Sequence, residues 1–143
     1  MGQGQGDALN RAADVVVAGT GLVLASPIFA AAAIATKVAG DGPVLYRQTR
    51  VGKDGQDFEL LKFRTMVVGA EKIGLGPAVE EGDARITRVG RILRRTSVDE
   101  LPQLWNVLRG DMSLVGPRPI RPRFFEELAE ELPAYWQRLV VRP

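Results

Sequence analysis

From Val15 to Thr36 the chain runs for 22 residues without a charged side chain, VVVAGTGLVLASPIFAAAAIAT, and a single proline, Pro27, sits inside that run. As one helix it would extend roughly 33 Å, enough to cross a bilayer hydrocarbon core of about 30 Å. Pro27 cannot donate to the carbonyl of Val23, and its ring crowds that turn, so a kink or break is expected there. The arms on either side, Val15–Ser26 and Ile28–Thr36, would reach only about 18 Å and about 14 Å, so neither crosses alone. A sharp bend returns the helix to the face it entered by, whereas a gentle kink lets it span. The Ser26 hydroxyl is well placed to satisfy backbone groups that the proline frees inside lipid.

Two other readings of this run are weaker. A signal peptide would open on a basic stretch, and this segment instead follows Asp7 and Asp14. A buried core helix of a water-soluble protein is the other alternative, the run being longer and more uniformly apolar than an amphipathic surface helix would be. Membrane insertion is therefore expected over residues 11–39, behind a flexible, Gly- and Gln-rich lead-in over residues 1–10. Lys37, Arg47, Arg50 and Lys53 follow the run and bias the remaining chain towards the cytoplasmic side.

Two absences narrow the chemistry. The sequence has no cysteine and no histidine, which excludes thiolate nucleophiles, Cys or His metal clusters, a histidine general base and a Ser-His-Asp triad. What remains is carboxylates, Lys, Arg, Tyr, hydroxyls and a hard, oxygen-bound cation. That set suits phosphate chemistry. The net charge of +2 does not by itself specify a partner. The clustering of arginine after position 84 matters more.

Residues 43–66 read as two strands joined through Asp54-Gly55, a strong turn signal. The second strand ends in Lys62-Phe63-Arg64, two cations flanking an aromatic, which a solvated strand edge would explain equally well. Residues 67–84, rich in Gly and holding Pro77, read as a mobile loop. In RITRVGRILRR, residues 85–95, a helical wheel gathers Ile86, Val89, Ile92 and Leu93 on one side. Arg88, Arg91, Arg94 and Arg95 gather on the other, with Arg85 nearer the boundary. Such a basic amphipathic helix suits an anionic membrane surface or bound phosphates, or simply a solvated face.

The following TSVDELPQLWNVLRGDM carries the adjacent acids Asp99 and Glu100. Ser97 and Glu100 have capping-box spacing, and Asp99 could equally cap a helix with Pro102 in its first turn. A carboxylate at a helix start also suits a nucleophile or a metal ligand, so the residues alone leave this open. Arg118, between Pro117 and Pro119, would present its guanidinium from a backbone with little freedom, as bidentate phosphate binding favours. An ordinary turn with an exposed arginine is the plain alternative. RFFEELAEEL, residues 123–132, reads as an amphipathic helix with Phe124, Phe125, Leu128 and Leu132 on its apolar side. There is no Walker-type loop, internal repeat or nucleic-acid motif.

Taken together these strings resemble the bacterial sugar transferase family, the monotopic polyprenol-phosphate phosphoglycosyl transferases. The resemblance rests on the apolar segment with Ser26-Pro27, on KFRTM at 62–66, on DARITRVGRILRRTSVDELPQLWNVLRGDMSLVGPRP at 83–119, and on the closing Val-Arg-Pro. It implies an α+β, predominantly helical fold: a re-entrant membrane helix broken at Ser26-Pro27, a small β-hairpin, amphipathic interfacial helices, and a catalytic domain over 40–143. By resemblance Asp99 and Glu100 form the catalytic pair and hold Mg²⁺, and Lys62, Arg94 and Arg118 contact phosphates. Arg64, the second cation beside Phe63, joins them as a candidate phosphate ligand. The implied reaction is transfer of a sugar 1-phosphate from a UDP-sugar to polyprenol phosphate. Asp99 would attack the β-phosphate, release UMP and form a phosphosugar intermediate. The implied partners are those two substrates and membrane lipid, without nucleic acid and with a homodimer left open, and the implied location is the cytoplasmic face of a bacterial inner membrane. Family members continue past Val-Arg-Pro into Gly-Ile-Thr-Gly, so a chain ending at Pro143 is expected to lack the usual C-terminal tail. A truncated, inactive fragment acting as a lipid-binding scaffold is the rival expectation.

Overall fold

The computed structural model describes residues 2–73 and 82–143. Its first element, α1, is one helix over Gly2–Val38 with Pro27 inside it. The break expected at the proline does not interrupt the helix, and the polar residues 2–10 are helical rather than an irregular lead-in. At helical rise α1 follows a path of about 55 Å.

The way α1 is buried is the reverse of a water-soluble amphipathic helix. Its buried side chains are the small Ala18 and Ala32 together with Asp14 and Thr36, while Val16, Val23, Leu24, Ile28 and Ile34 are each more than half exposed. Small residues against protein and branched aliphatics outward is the pattern of a helix whose surroundings are lipid, where apolar side chains need no burial. Among the described residues α1 is the one helix long and apolar enough to cross a membrane, and it is compatible with membrane association.

The hairpin forms as expected, with β1 over Leu45–Val51 and β2 over Asp57–Phe63. Asp54 and Gly55 in the connection have φ of 57° and 74°. Asp tolerates and Gly favours this left-handed backbone, which is why the pair closes hairpins. Among the described residues three further α-helices follow: α2 (Arg88–Arg95), α3 (Gln103–Arg109) and α4 (Pro122–Glu131). The amphipathic reading of 123–132 holds as a helix, but none of its residues is buried. Of the loop expected over 67–84, Ala70–Lys72 forms a 3-10 turn, and residues 74–81 lie outside the described residues.

The chain divides into two compact units. One comprises residues up to Val23, Arg47–Leu61 and Gln103–Pro143; the other comprises Leu24–Tyr46 and Lys62–Pro102. In the first, Ala18, Leu60, Val107 and Met112 form the core. Arg11 donates to the carbonyls of Val107 and Leu108 at the end of α3, and the Asp14 carboxylate accepts from Leu114 N at 3.0 Å. Fully buried Asn106 donates to Glu59 O (2.7 Å) and accepts from Leu61 N (3.0 Å), occupying β2 backbone groups that the hairpin leaves unpaired. In the second unit, Ala32, Phe63 and Leu93 form the core, with the rings of Phe29 and Phe63 4.8 Å apart.

Candidate active site

Most of the candidate residues fall in the second unit, where β2, α2 and a 3-10 turn over Val98–Glu100 supply them. Strand alternation explains the KFRTM segment. Phe63 and Thr65 are buried, 0% and 4% exposed, which leaves Lys62 and Arg64 at the alternate positions, partly exposed.

Asp99 is only 7% exposed, while its neighbour Glu100 is exposed. Burial first, and repulsion from Glu100 second, push the Asp99 carboxyl above the ordinary carboxylate range; Lys62, Arg94 and its own backbone N–H pull it back without prevailing. The Ser97 capping alternative is not realised at this turn. Ser97 precedes it with φ of 56° and makes no side-chain cap hydrogen bond. The acid is thus desolvated, with a second carboxyl beside it and two cations within electrostatic reach.

On α2 the structure corrects the helical wheel. The helix begins at Arg88, and Thr87 is its N-cap, accepting from Gly90 N at 2.9 Å. Its buried face is Gly90 and Leu93, so Ile92 points away from the core and is 63% exposed. Arg88, Arg91, Ile92 and Arg95, at i, i+3, i+4 and i+7, share that outer face. Arg94 belongs to the other side, where its Nε donates to the Thr65 hydroxyl at 2.8 Å. Arg85 lies before the helix, 8% exposed, and pairs with Asp83 at 2.6 Å while donating to the carbonyls of Ala70 and Ile73 at 3.1 Å. Hydrogen bonds from the Arg85 guanidinium and backbone N–H lower the Asp83 carboxyl to about 2.

Arg64 is not gathered with the other cations. Its guanidinium donates to the carbonyls of Thr36, Gly40 and Asp41, capping the end of α1. Arg118 lies in the first unit. Its loop is pinned by more than the flanking prolines: Arg138 donates to Arg118 O (2.6 Å), Arg50 to Pro119 O (3.1 Å), and Val51 N to Ile120 O (2.9 Å). Arg138 also sits over the Tyr135 ring, 5.0 Å from its centre. Pro117, Arg118 and Arg138 line a shallow depression there with Phe125 and Leu139. Sequence reasoning missed Thr65, Arg138, Arg11 and Asn106, for which the only signal was a polar residue inside an otherwise apolar or basic string.

Buried Asp99, the adjacent Glu100 and the cations Lys62 and Arg94 thus come together in the second unit. The chain matches the bacterial sugar transferase family over residues 5–143 and belongs to it. It is 48% identical, over 92% of its length and 73% of the relative's, to a Bacillus subtilis protein whose name provisionally assigns it undecaprenyl-phosphate N-acetylgalactosaminyl 1-phosphate transfer. It is 47% identical to the UDP-glucose:undecaprenyl-phosphate glucose-1-phosphate transferase of Caulobacter vibrioides, over 96% of this chain and 51% of that one. With the UDP-N-acetylgalactosamine-undecaprenyl-phosphate N-acetylgalactosaminephosphotransferase of Aeromonas hydrophila it shares 44%, over 94% and 32% respectively. The chain thus spans between 32% and 73% of the length of these relatives.

Proposed function

We propose that this chain carries out sugar 1-phosphate transfer from a UDP-sugar to polyprenol phosphate, with undecaprenol phosphate as the acceptor. The observation that carries the reading is the buried Asp99 carboxylate, held beside Glu100 and within the influence of Lys62 and Arg94. Desolvation that raises a carboxyl's proton affinity also raises its nucleophilicity, provided the anion forms at the working pH. An Asp99 oxygen attacks the β-phosphorus, forming an acyl phosphate as the bond to the α-phosphate oxygen breaks and UMP leaves. An oxygen of polyprenol phosphate then attacks the same phosphorus and the bond from that phosphorus to the Asp99 oxygen breaks. The carboxylate is regenerated and polyprenol diphosphate sugar is released. Lys62 and Arg94 offset the negative charge that would otherwise keep an anionic nucleophile and a diphosphate apart, and Arg118 is read as a phosphate ligand from its place in the family strings.

Mg²⁺ fits this donor set. It commonly takes one or two carboxylates and completes its shell with substrate phosphate oxygens and water, and Asp99 and Glu100 are adjacent acids of that kind. Among the described residues no cluster of three or more His, Cys, Asp or Glu could hold a metal without substrate. When bound, the ion would neutralise phosphate charge.

The same reading puts α1 in the bilayer as a re-entrant helix turning at Ser26-Pro27, with the site on the cytoplasmic face of an inner membrane. The exposed Arg88, Arg91, Ile92 and Arg95 face of α2 suits contact with anionic headgroups. Support comes from the outward valines and leucines of α1 and from the acceptor that the relatives' names specify.

The test is UMP release from a panel of UDP-sugars with undecaprenol phosphate and Mg²⁺, alongside intact-mass analysis after incubation with donor alone. Turnover and a phosphosugar adduct on the wild type are expected, with both lost in Asp99→Asn. An adduct that survives Asp99→Asn and vanishes in Glu100→Gln would reverse the two acids' roles. Lipid binding without any UMP release would leave the scaffold reading standing.

A further inference from the structure

Arg94 reaches the site from a helix whose position is set by a single close approach. A Cβ added at Gly90 would lie 2.0 Å from the carbonyl oxygen of Thr65. Only a hydrogen at that position lets α2 sit so near the end of the KFRTM segment. The approach is locked by hydrogen bonds, because Thr65 O accepts from Thr87 N at 3.0 Å and Thr87 is the residue that caps α2. Residue 94 follows residue 90 by one turn, so its side chain leans back over the same face and meets the Thr65 hydroxyl. The hydroxyl accepts from Arg94 Nε at 2.8 Å, and Thr65 is 4% exposed.

That bond has a chemical consequence. An arginine offers a planar fork, and two edges of it can pair with a phosphate. Occupying Nε removes the side edge and stops rotation about the Cδ–Nε bond. Among the described residues the end-on edge, Nη1 with Nη2, makes no hydrogen bond within the fold. We propose that Thr65 is a positioning residue that fixes the Arg94 guanidinium in one plane, so that it meets a substrate phosphate through its end-on edge. Gly90 is the backbone condition for this arrangement. The inference rests on the reading of Arg94 as a phosphate-binding residue in sugar 1-phosphate transfer.

Thr65→Val keeps the shape and removes the acceptor, and Thr65→Ser restores it. In the full chain reconstituted in nanodiscs, Thr65→Val is expected to lower kcat for transfer by roughly ten- to a hundredfold, the scale of a misaligned contact. Thr65→Ser should recover activity to within about threefold. In an Arg94→Gln background Thr65→Val should cost nothing further, since the group it orients is gone. The arginine Nε–Hε resonance that disappears in Arg94→Lys reads the bond without turnover. It should exchange slowly with solvent in wild type and Thr65→Ser, and fast in Thr65→Val. Equal losses with and without Arg94, or an unchanged Nε–Hε exchange rate in Thr65→Val, would overturn the proposal. A wild type without turnover but with a protected Nε–Hε would instead remove the transferase reading and leave the Thr65–Arg94 bond intact.

Discussion

Asp99 and Asp83 are both acids close to arginines, yet their environments drive them in opposite directions. The Asp99 carboxyl is raised, so its ionised form is worse off in the fold than in the unfolded chain. Above that raised pKa the charge works against folding. Asp99→Asn is therefore expected to leave Tm at pH 7, measured without divalent cation, equal to or above that of the wild type while transfer is lost by orders of magnitude. A fall of several degrees in Tm would show that the acid holds the turn together. Asp83 is the reverse case, lowered from 3.8 to about 2 by its bonds to Arg85. Its contribution is present above its unfolded value and disappears as pH falls through its folded one. The Tm difference between wild type and Asp83→Asn should be steady above about pH 5 and shrink between about pH 4 and pH 2. A difference independent of pH across that window would mean that the Asp83–Arg85 pair stabilises through shape alone.

At the scale of elements, α2 shows how one glycine can redirect a helix. A wheel that weights only hydrophobicity puts Ile92 inside and Arg94 outside. The close contact of Gly90 with the Thr65 backbone rotates the buried face to Gly90 and Leu93, which expels Ile92 and turns Arg94 inward. Two effects compete in Gly90→Ala. Helix propensity favours alanine by about 1 kcal/mol, whereas overpacking against immovable backbone costs about 2 kcal/mol or more. The clash wins, so Gly90→Ala should lower stability to chemical denaturation, and a gain would show that α2 is free to shift. The hairpin, by contrast, was legible from Asp54-Gly55 because a local backbone requirement and a local residue preference coincide there.

For the whole molecule, the proposed placement of α1 in the bilayer has a topological consequence. Pro27 lies inside an unbroken helix, and the re-entrant reading requires that both ends of the apolar run face one side. The sequence lacks cysteine, so single cysteines at Gly4 and at Asp54 can be labelled without background. In sealed vesicles both are expected to react with an impermeant maleimide from the same side. Reaction from opposite sides would make α1 a spanning helix.

The linear order of residues determined whatever depends on near neighbours. The long apolar run, the Asp-Gly turn, the absence of His and Cys chemistry, the adjacent acids and the family strings could all be read directly. It also identified Asp99, Lys62, Arg94 and Arg118 as candidates. Tertiary structure decided which cations stay near the acid and which are spent elsewhere. Arg64 caps α1 and Arg85 braces a loop, whereas Arg94 is turned onto Thr65. It also assigned Arg11, Asp14 and Asn106 to backbone groups about 45 to 100 residues away. An arginine's role is set by which acceptors the fold brings within 3 Å or so of it. Those acceptors are mostly backbone carbonyls, which carry no signature in the sequence.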